Sequence, residues 1–234
     1  NENIKNIFLS KNFEDKIKSI INQKLDILFY PDIHMSNDLY FLSYLRLAKF
    51  QITSWGHPET TGNKSIDYFL SSRLCEIETS QGHYSEKLIL VNNLPMYFYK
   101  PKIENDFQLT KENLSTRNKY CCPQSLFKFH PDFDEIIKKI LIKDKKAKIF
   151  FLKDAKNILA RSIQKRLKKK IDKNIERVIF VDRIREKEFI NHCGEASVLL
   201  DPIYFGAGNS FHESMYYGTP TVTLPGNYLK ARIV

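Results

Sequence analysis

Over the second half of this chain, helical periodicity alternates with short apolar runs, and that alternation restricts the possible folds more than any other feature. Helices are predicted at about 132–142, 156–170, 186–195 and 209–217, with strands at 147–152, 177–181, 197–200 and 221–224. A helix between successive strands supplies the crossover that parallel neighbours require, so the pattern implies a parallel, doubly wound sheet. Sheets of that kind bind ligands beyond the carboxyl ends of their strands.

The first half carries the same signal less regularly. Phe13, Ile17, Ile20 and Ile21 recur at helical spacing, and the apolar run 25–30 ends at Pro31 as a buried strand would. A second helix is predicted over 37–48 behind the cap Ser36, followed by strands at 50–55, 66–70 and 87–91. Residues Gly56 to Gly62 hold too many turn formers for regular structure and are expected to form a loop. The polar, weakly periodic stretch before Asn118 reads as a linker. The expected division is a partial Rossmann-like domain over 1–100, a linker over 101–118 and a second Rossmann-like domain over 119–234. The first residue is Asn1 rather than Met and the last three are Arg232, Ile233 and Val234, so the chain is expected to be incomplete at both ends.

Composition removes several alternatives. With 42% hydrophobic and 27% charged residues the chain should fold rather than stay disordered. The net charge of +10 raises the question of nucleic acid, but the excess lysine lies along amphipathic helices between Lys138 and Lys187, whose polar faces would be solvated. No nucleic-acid partner is therefore expected, although a basic binder would explain the same charge. No window approaches the roughly 20 apolar residues of a membrane span, and no signal-peptide pattern opens the sequence. Cys75, Cys121, Cys122 and Cys193 form no CxxC pair, which points to reduced thiols and a cytoplasmic location. The histidines show no metal-site spacing, so no metal is expected.

The strongest local chemistry lies in Asp201-Pro-Ile-Tyr-Phe-Gly-Ala-Gly-Asn-Ser-Phe-His-Glu213, which ends a strand and opens a helix. Gly206 and Gly208 allow close backbone approach, and free amides at a helix start favour a diphosphate. Asn209 or Ser210 is expected to cap the helix and donate to phosphate oxygens, while Glu213, one turn further, can accept from ribose hydroxyls. Neither GxGxxG nor a Walker lysine is present.

Taken in order, Trp55-Gly-His-Pro-Glu-Thr-Thr-Gly62, Ile66-Asp-Tyr68, Tyr84-Ser-Glu-Lys-Leu88, Gln124-Ser-Leu-Phe-Lys128, Phe205-Gly-Ala-Gly-Asn-Ser210 and Gly218-Thr-Pro-Thr-Val-Thr-Leu-Pro-Gly226 resemble the SPINDLY and O-GlcNAc transferase family, above all its bacterial members. The resemblance covers about residues 25 to 234. It implies an α/β fold of GT-B type, with two Rossmann-like domains, the first on the acceptor side and the second holding the donor. It also implies an inverting, metal-independent transfer of a sugar to Ser or Thr hydroxyls of proteins, with UDP-GlcNAc the first choice of donor and no cofactor besides that substrate. GDP-fucose, a glucosyl donor, a surface-glycan acceptor or a non-catalytic nucleotide-binding remnant are the alternatives.

By the same resemblance Lys128 contacts the diphosphate, and Gln124 and Ser125 touch the donor. Asn209, Ser210 and Glu213 bind phosphate and ribose, and the backbone at Ile184 and the ring of Phe189 lie at the base. His57 is the candidate for proton handling. Relatives often carry tetratricopeptide repeats ahead of this region, and a full-length parent could do so, yet this chain has no period near 34 residues.

Overall fold

The computed structural model describes residues 4–101 and 118–234. The chain divides into two compact units, Asn1–Tyr97 and Phe98–Val234. Most of the expected linker, 102–117, lies outside the described residues.

In the first unit, α1 (Phe13–Ile21) begins where the side chain of Asn12 accepts from the amide of Asp15 at 3.1 Å. Its buried Ile20 meets Tyr30, Ile33, Leu42, Leu47 and Ile66 in one core. Four parallel strands, β1 (Ile27–Tyr30), β2 (Phe50–Ser54), β3 (Tyr68–Ser72) and β4 (Lys87–Val91), lie in sequence order. The register places Phe29 opposite Ile52, and Phe69 opposite both Thr53 and Leu88. Tyr30 donates to the carbonyl of Leu42, and burial pushes its phenol up to about 12 against a smaller opposing effect of Arg46.

The helix expected over 37–48 is shorter: α2 spans Asn37–Ser43. The buried side chain of Gln51 accounts for the early stop, because it accepts from the amide of Leu47 at 3.0 Å and donates to the carbonyls of Leu45 and Ser65. Backbone groups that a longer helix would have paired are satisfied by one amide side chain instead.

The loop from Gly56 to Gly62 is irregular, as its turn formers require, yet it is fixed. The carboxylate of Glu86, buried just before β4, accepts from the Thr60 hydroxyl at 2.7 Å and from the amide of Thr61 at 2.7 Å, and also from the Thr61 hydroxyl. Burial by itself would raise this carboxyl, but the bonds from Thr61 and Thr60 outweigh it and hold it below the usual range. At the loop's start a Cβ on Gly56 would lie 2.1 Å from the carbonyl oxygen of Pro31, so only glycine fits there.

The second unit is built on five parallel strands, β5 (Lys119–Cys122), β6 (Lys148–Leu152), β7 (Val178–Val181), β8 (Val198–Leu200) and β9 (Thr221–Val222), in the order β7-β6-β5-β8-β9. Cys121 on the central strand faces Phe150 on one side and Leu199 on the other. The connecting helices are α3 (Phe133–Lys143), α4 (Ile158–Ile171), α5 (Glu186–Gly194) and α6 (Asn209–Ser214). Phe133, Ile137 and Leu141 of α3 and Ala160, Ile163 and Leu167 of α4 are buried at helical spacing against Ile149 and Phe151. Lys139, Lys143, Lys165, Lys168 and Lys169 lie on the exposed sides of those two helices.

Two arginines brace these helices. Arg166 donates to both carboxylate oxygens of the buried Asp134, at 2.7 and 2.9 Å, and to the carbonyl of Phe129 at 3.0 Å. Arg177 donates to the carbonyls of Leu141 and Asp144 at the end of α3, which complements the negative end of that helix.

Replacing Glu86 with alanine is expected to cost about 2 kcal/mol, the scale of a hydrogen bond to a charged group. Because the folded-state carboxyl is depressed, its contribution is present above the carboxyl's unfolded pKa and is lost as pH falls through the folded value. Urea unfolding of wild type and Glu86→Ala over an acid series measures both; a difference independent of pH would refute the charge-based account.

Candidate functional site

Strands β5, β6 and β7 are added in one direction from the centre, and β8 then returns to the other side of β5. Beyond β5 and β8, therefore, the connections leave in opposite directions and open a crevice. Two segments meet there: 123–128, which follows β5, and 201–210, which follows β8.

Their meeting is made by polar side chains. Lys128 donates to the carbonyl of Gly206 at 2.8 Å and to Oε1 of Gln124 at 3.2 Å, and its ammonium lies 4.5 Å from the ring centre of Phe205. The buried Gln124 donates from Nε2 to the Ser210 hydroxyl at 2.8 Å, and that hydroxyl lies 3.1 Å from Gln124 Oε1. Burial lowers the Lys128 ammonium, and the charge of Asp201 opposes the shift. Asp201, itself buried, accepts from the amide of Ala207 at 2.7 Å and from the Thr223 hydroxyl at 2.8 Å. Burial raises its carboxyl despite those bonds and Lys128.

Beside this network lies a cleft of about 460 Å³ within the second unit. Six residues singled out from the sequence line it: Gln124, Ser125, Ile184, Phe189, Ser210 and Glu213. Lys128 adjoins it through Gln124, Gly206 through Lys128, and Asn209 precedes Ser210 in the chain. Gly206 closes tightly on its surroundings, since a Cβ there would lie 2.7 Å from the Asp201 carboxylate. Phe189 lines the cleft and also packs on the buried cluster of Cys121, Cys193, Ala196 and Leu199, so one ring belongs to both site and core.

The structure corrects the expected start of α6. Neither Asn209 nor Ser210 caps it; Gly208 stands at the cap position, Asn209 is the first helical residue, and Ser210 bonds Gln124 instead. The helix also ends at Ser214 rather than 217. With so short a helix, fixed charge at this site comes from Lys128 more than from a macrodipole.

His57 belongs to the first unit, where its ring meets that of His34 edge-on at 4.7 Å, and the cleft is assembled without it. Among the described residues no cluster of three or more His, Cys, Asp or Glu could hold a metal ion. No described helix is long and apolar enough to cross a membrane.

Sequence reasoning passed over other cleft residues: Phe127, Lys153, Asp154, Leu159, Arg183 and Glu186. Most follow β6 and β7, so the rule that ligands lie beyond carboxyl strand ends could have found them. Lys153 pairs with Asp182 at 2.8 Å, while Asp154 accepts from the amides of Ile158 and Ala160 at the start of α4. Glu213 is raised by burial and, beyond that, by the charge of Glu186.

No family model matches the chain. It is 35% identical over 79 residues, 33% of its own length and 9% of the relative's, to a protein of Eustoma exaltatum subsp. russellianum described as probable UDP-N-acetylglucosamine–peptide N-acetylglucosaminyltransferase SPINDLY. Among solved structures, a mutant of Thermobaculum terrenum O-GlcNAc transferase superposes with a TM-score of 0.78 at 18% identity, over 95% of this chain and 42% of that one. TarM superposes with a TM-score of 0.51 at 15% identity, over 89% of this chain and 43% of that one. The chain thus spans less than half the length of these structures and under a tenth of the SPINDLY protein. The fold is that of a GT-B glycosyltransferase, mixed α/β with parallel sheets.

Gly206→Ala is expected to destabilise the second unit by about 1–3 kcal/mol, because the new methyl must displace a buried carboxylate held at two points. Thermal unfolding measures it, and an unchanged melting temperature would contradict the close packing of Asp201 on that loop.

Proposed function

We propose that this chain, a SPINDLY- and O-GlcNAc-transferase-like region of GT-B class, is a glycosyltransferase whose second unit holds a nucleotide-diphosphate sugar. The observation that carries this reading is the link Gly206–Lys128–Gln124–Ser210, which sets an ammonium beside a cleft of about 460 Å³ at the switch point of a doubly wound sheet.

The chemistry follows from that placement. An acceptor hydroxyl attacks the anomeric carbon from the face opposite the diphosphate, and the bond from that carbon to the phosphate oxygen breaks. The electron pair leaves with the diphosphate, and the configuration inverts. The charge that develops on the leaving oxygens needs a positive group fixed in advance, and Lys128 supplies it without an essential metal. Its present acceptors are neutral oxygens of Gly206 and Gln124, so the ammonium is aligned as a donor before a diphosphate arrives. Ser210 and Asn209 donate to the phosphates, Glu213 accepts from the ribose, and Ile184 and Phe189 bound the base. His57, in the first unit, is the candidate to take the hydroxyl proton.

We assign the donor as UDP-GlcNAc, in line with the name of the SPINDLY relative, and the acceptor as Ser or Thr hydroxyls of proteins. GDP-fucose and UDP-glucose are the competing donors. A cytoplasmic setting suits the buried, unoxidised Cys75, Cys121, Cys122 and Cys193.

Sugar-nucleotide hydrolysis and transfer to peptides, with these three donors, compare wild type with Lys128→Ala. The expected loss is roughly 10²-fold or more, the scale of removing one electrostatic stabiliser. Equal rates would take Lys128 out of the reaction, and absence of any turnover in wild type would leave a nucleotide-binding remnant.

The sign of the pH dependence follows from Glu213. A ribose acceptor works best as the carboxylate, and this carboxyl is raised by burial and by Glu186, so nucleotide affinity should increase as pH rises through its titration. Calorimetric titration of UDP over an acid-to-neutral series measures this, and Glu213→Gln should flatten the profile; an unaltered slope in that variant would assign the titration elsewhere.

A further inference from the structure

Two carboxylates, Glu186 and Glu213, line the same cleft, and neither has an ion-pair or side-chain hydrogen-bond partner among the described residues. They stand on α5 and α6, which pack together, and just past the end of α6 the Tyr217 hydroxyl donates to Asn191 of α5 at 3.1 Å. Glu186 opens α5, yet the work of closing that helix end falls to its neighbours. The Arg185 amide donates to Glu188 at 3.0 Å, and the Arg185 guanidinium pairs with the same carboxylate at 2.8 Å. Helix capping therefore does not account for Glu186 facing the cleft.

Like charges turned toward one space repel; Lys153, paired with Asp182, and Arg183 line the same cleft, but neither forms an ion pair with Glu186 or Glu213 among the described residues. Their repulsion is felt at Glu213, whose carboxyl is raised in part by Glu186. A ligand that brings two adjacent hydroxyl donors relieves the arrangement, because each carboxylate gains a charge-assisted bond. A vicinal diol has that form, and a 2′-deoxy or 3′-deoxy sugar lacks half of it.

We infer that Glu186 is a specificity-determining residue that acts with Glu213 as a two-point acceptor for the ribose diol, so that the cleft selects ribonucleoside over deoxyribonucleoside diphosphates. This rests on reading the cleft as the nucleotide site. It adds a second carboxylate, on a different helix, to the one the sequence had pointed to.

The test is isothermal titration of the chain with UDP, 2′-deoxy-UDP and 3′-deoxy-UDP, repeated with GDP and its 2′-deoxy form, in wild type, Glu186→Ala and Glu186→Gln. Wild type is expected to prefer the ribonucleotide over each deoxy analogue by on the order of tenfold, the equivalent of one hydrogen bond to a charged group. Glu186→Ala should bring the preference against one analogue to within about twofold while the preference against the other, held by Glu213, persists; twofold is under half a kcal/mol by the affinity arithmetic. Glu186→Gln keeps an acceptor oxygen and should fall between.

An unchanged preference in both variants would overturn the inference and leave the nucleotide site standing. Binding that requires Mg²⁺ and is lost in EDTA would also overturn it, because the pair would then hold a cation. Failure of every nucleotide to bind wild type would remove the nucleotide site itself, and the inference with it.

Discussion

Holding a half-buried ammonium between two loops is the constraint on which the second unit depends. Lys128 follows β5, and its acceptors are the carbonyl of Gly206, after β8, and Gln124, which is bonded in turn to Ser210 at the start of α6. The charge is partly desolvated, so each acceptor matters more than it would at the surface. Asp201 adds a carboxylate nearby, but that group is fully engaged by Ala207 and Thr223 and is itself raised by burial. The site thus keeps its positive charge without neutralising it through a tight ion pair, as the proposed diphosphate site requires.

The first unit uses the opposite sign to a similar end. Glu86 is buried as a carboxylate, and two threonines from a distant loop supply the donors it needs. Two sequence motifs, the Gly-His-Pro-Glu-Thr-Thr-Gly loop and Tyr-Ser-Glu-Lys-Leu, prove to be two halves of one interaction. Glycine at position 56 is required for a steric reason, the approach of Pro31, whereas Thr60 and Thr61 are required for hydrogen bonding.

Elements with strong periodicity were legible because their pattern records which face is buried. Phe133, Ile137 and Leu141, or Ala160, Ile163 and Leu167, mark the inner stripes of α3 and α4 whatever they pack against. Central strand β5 goes unmarked in the sequence, since four residues headed by a lysine carry little period. The ammonium of Lys119 escapes the sheet to Glu195, at 2.6 Å, and lies 5.0 Å from the ring centre of Phe150. The length of α2 was illegible for another reason: Gln51, beyond the helix, takes the backbone groups that would have extended it. The cap of α6 was misassigned because Ser210 is a good capping residue whose hydroxyl had a nearer partner in Gln124, 86 positions away.

By itself the sequence determined the parallel, helix-connected architecture, the two loops that meet at the cleft and six of the side chains that line it, because periodicity and turn chemistry are local properties. Tertiary structure alone decided that Lys128 reaches Gly206, that Glu86 holds Thr60 and Thr61, and that Glu186 and Glu213 share one cleft. Those facts depend on strand order, and strand order is set by burial summed over the whole sheet rather than by any short stretch of residues.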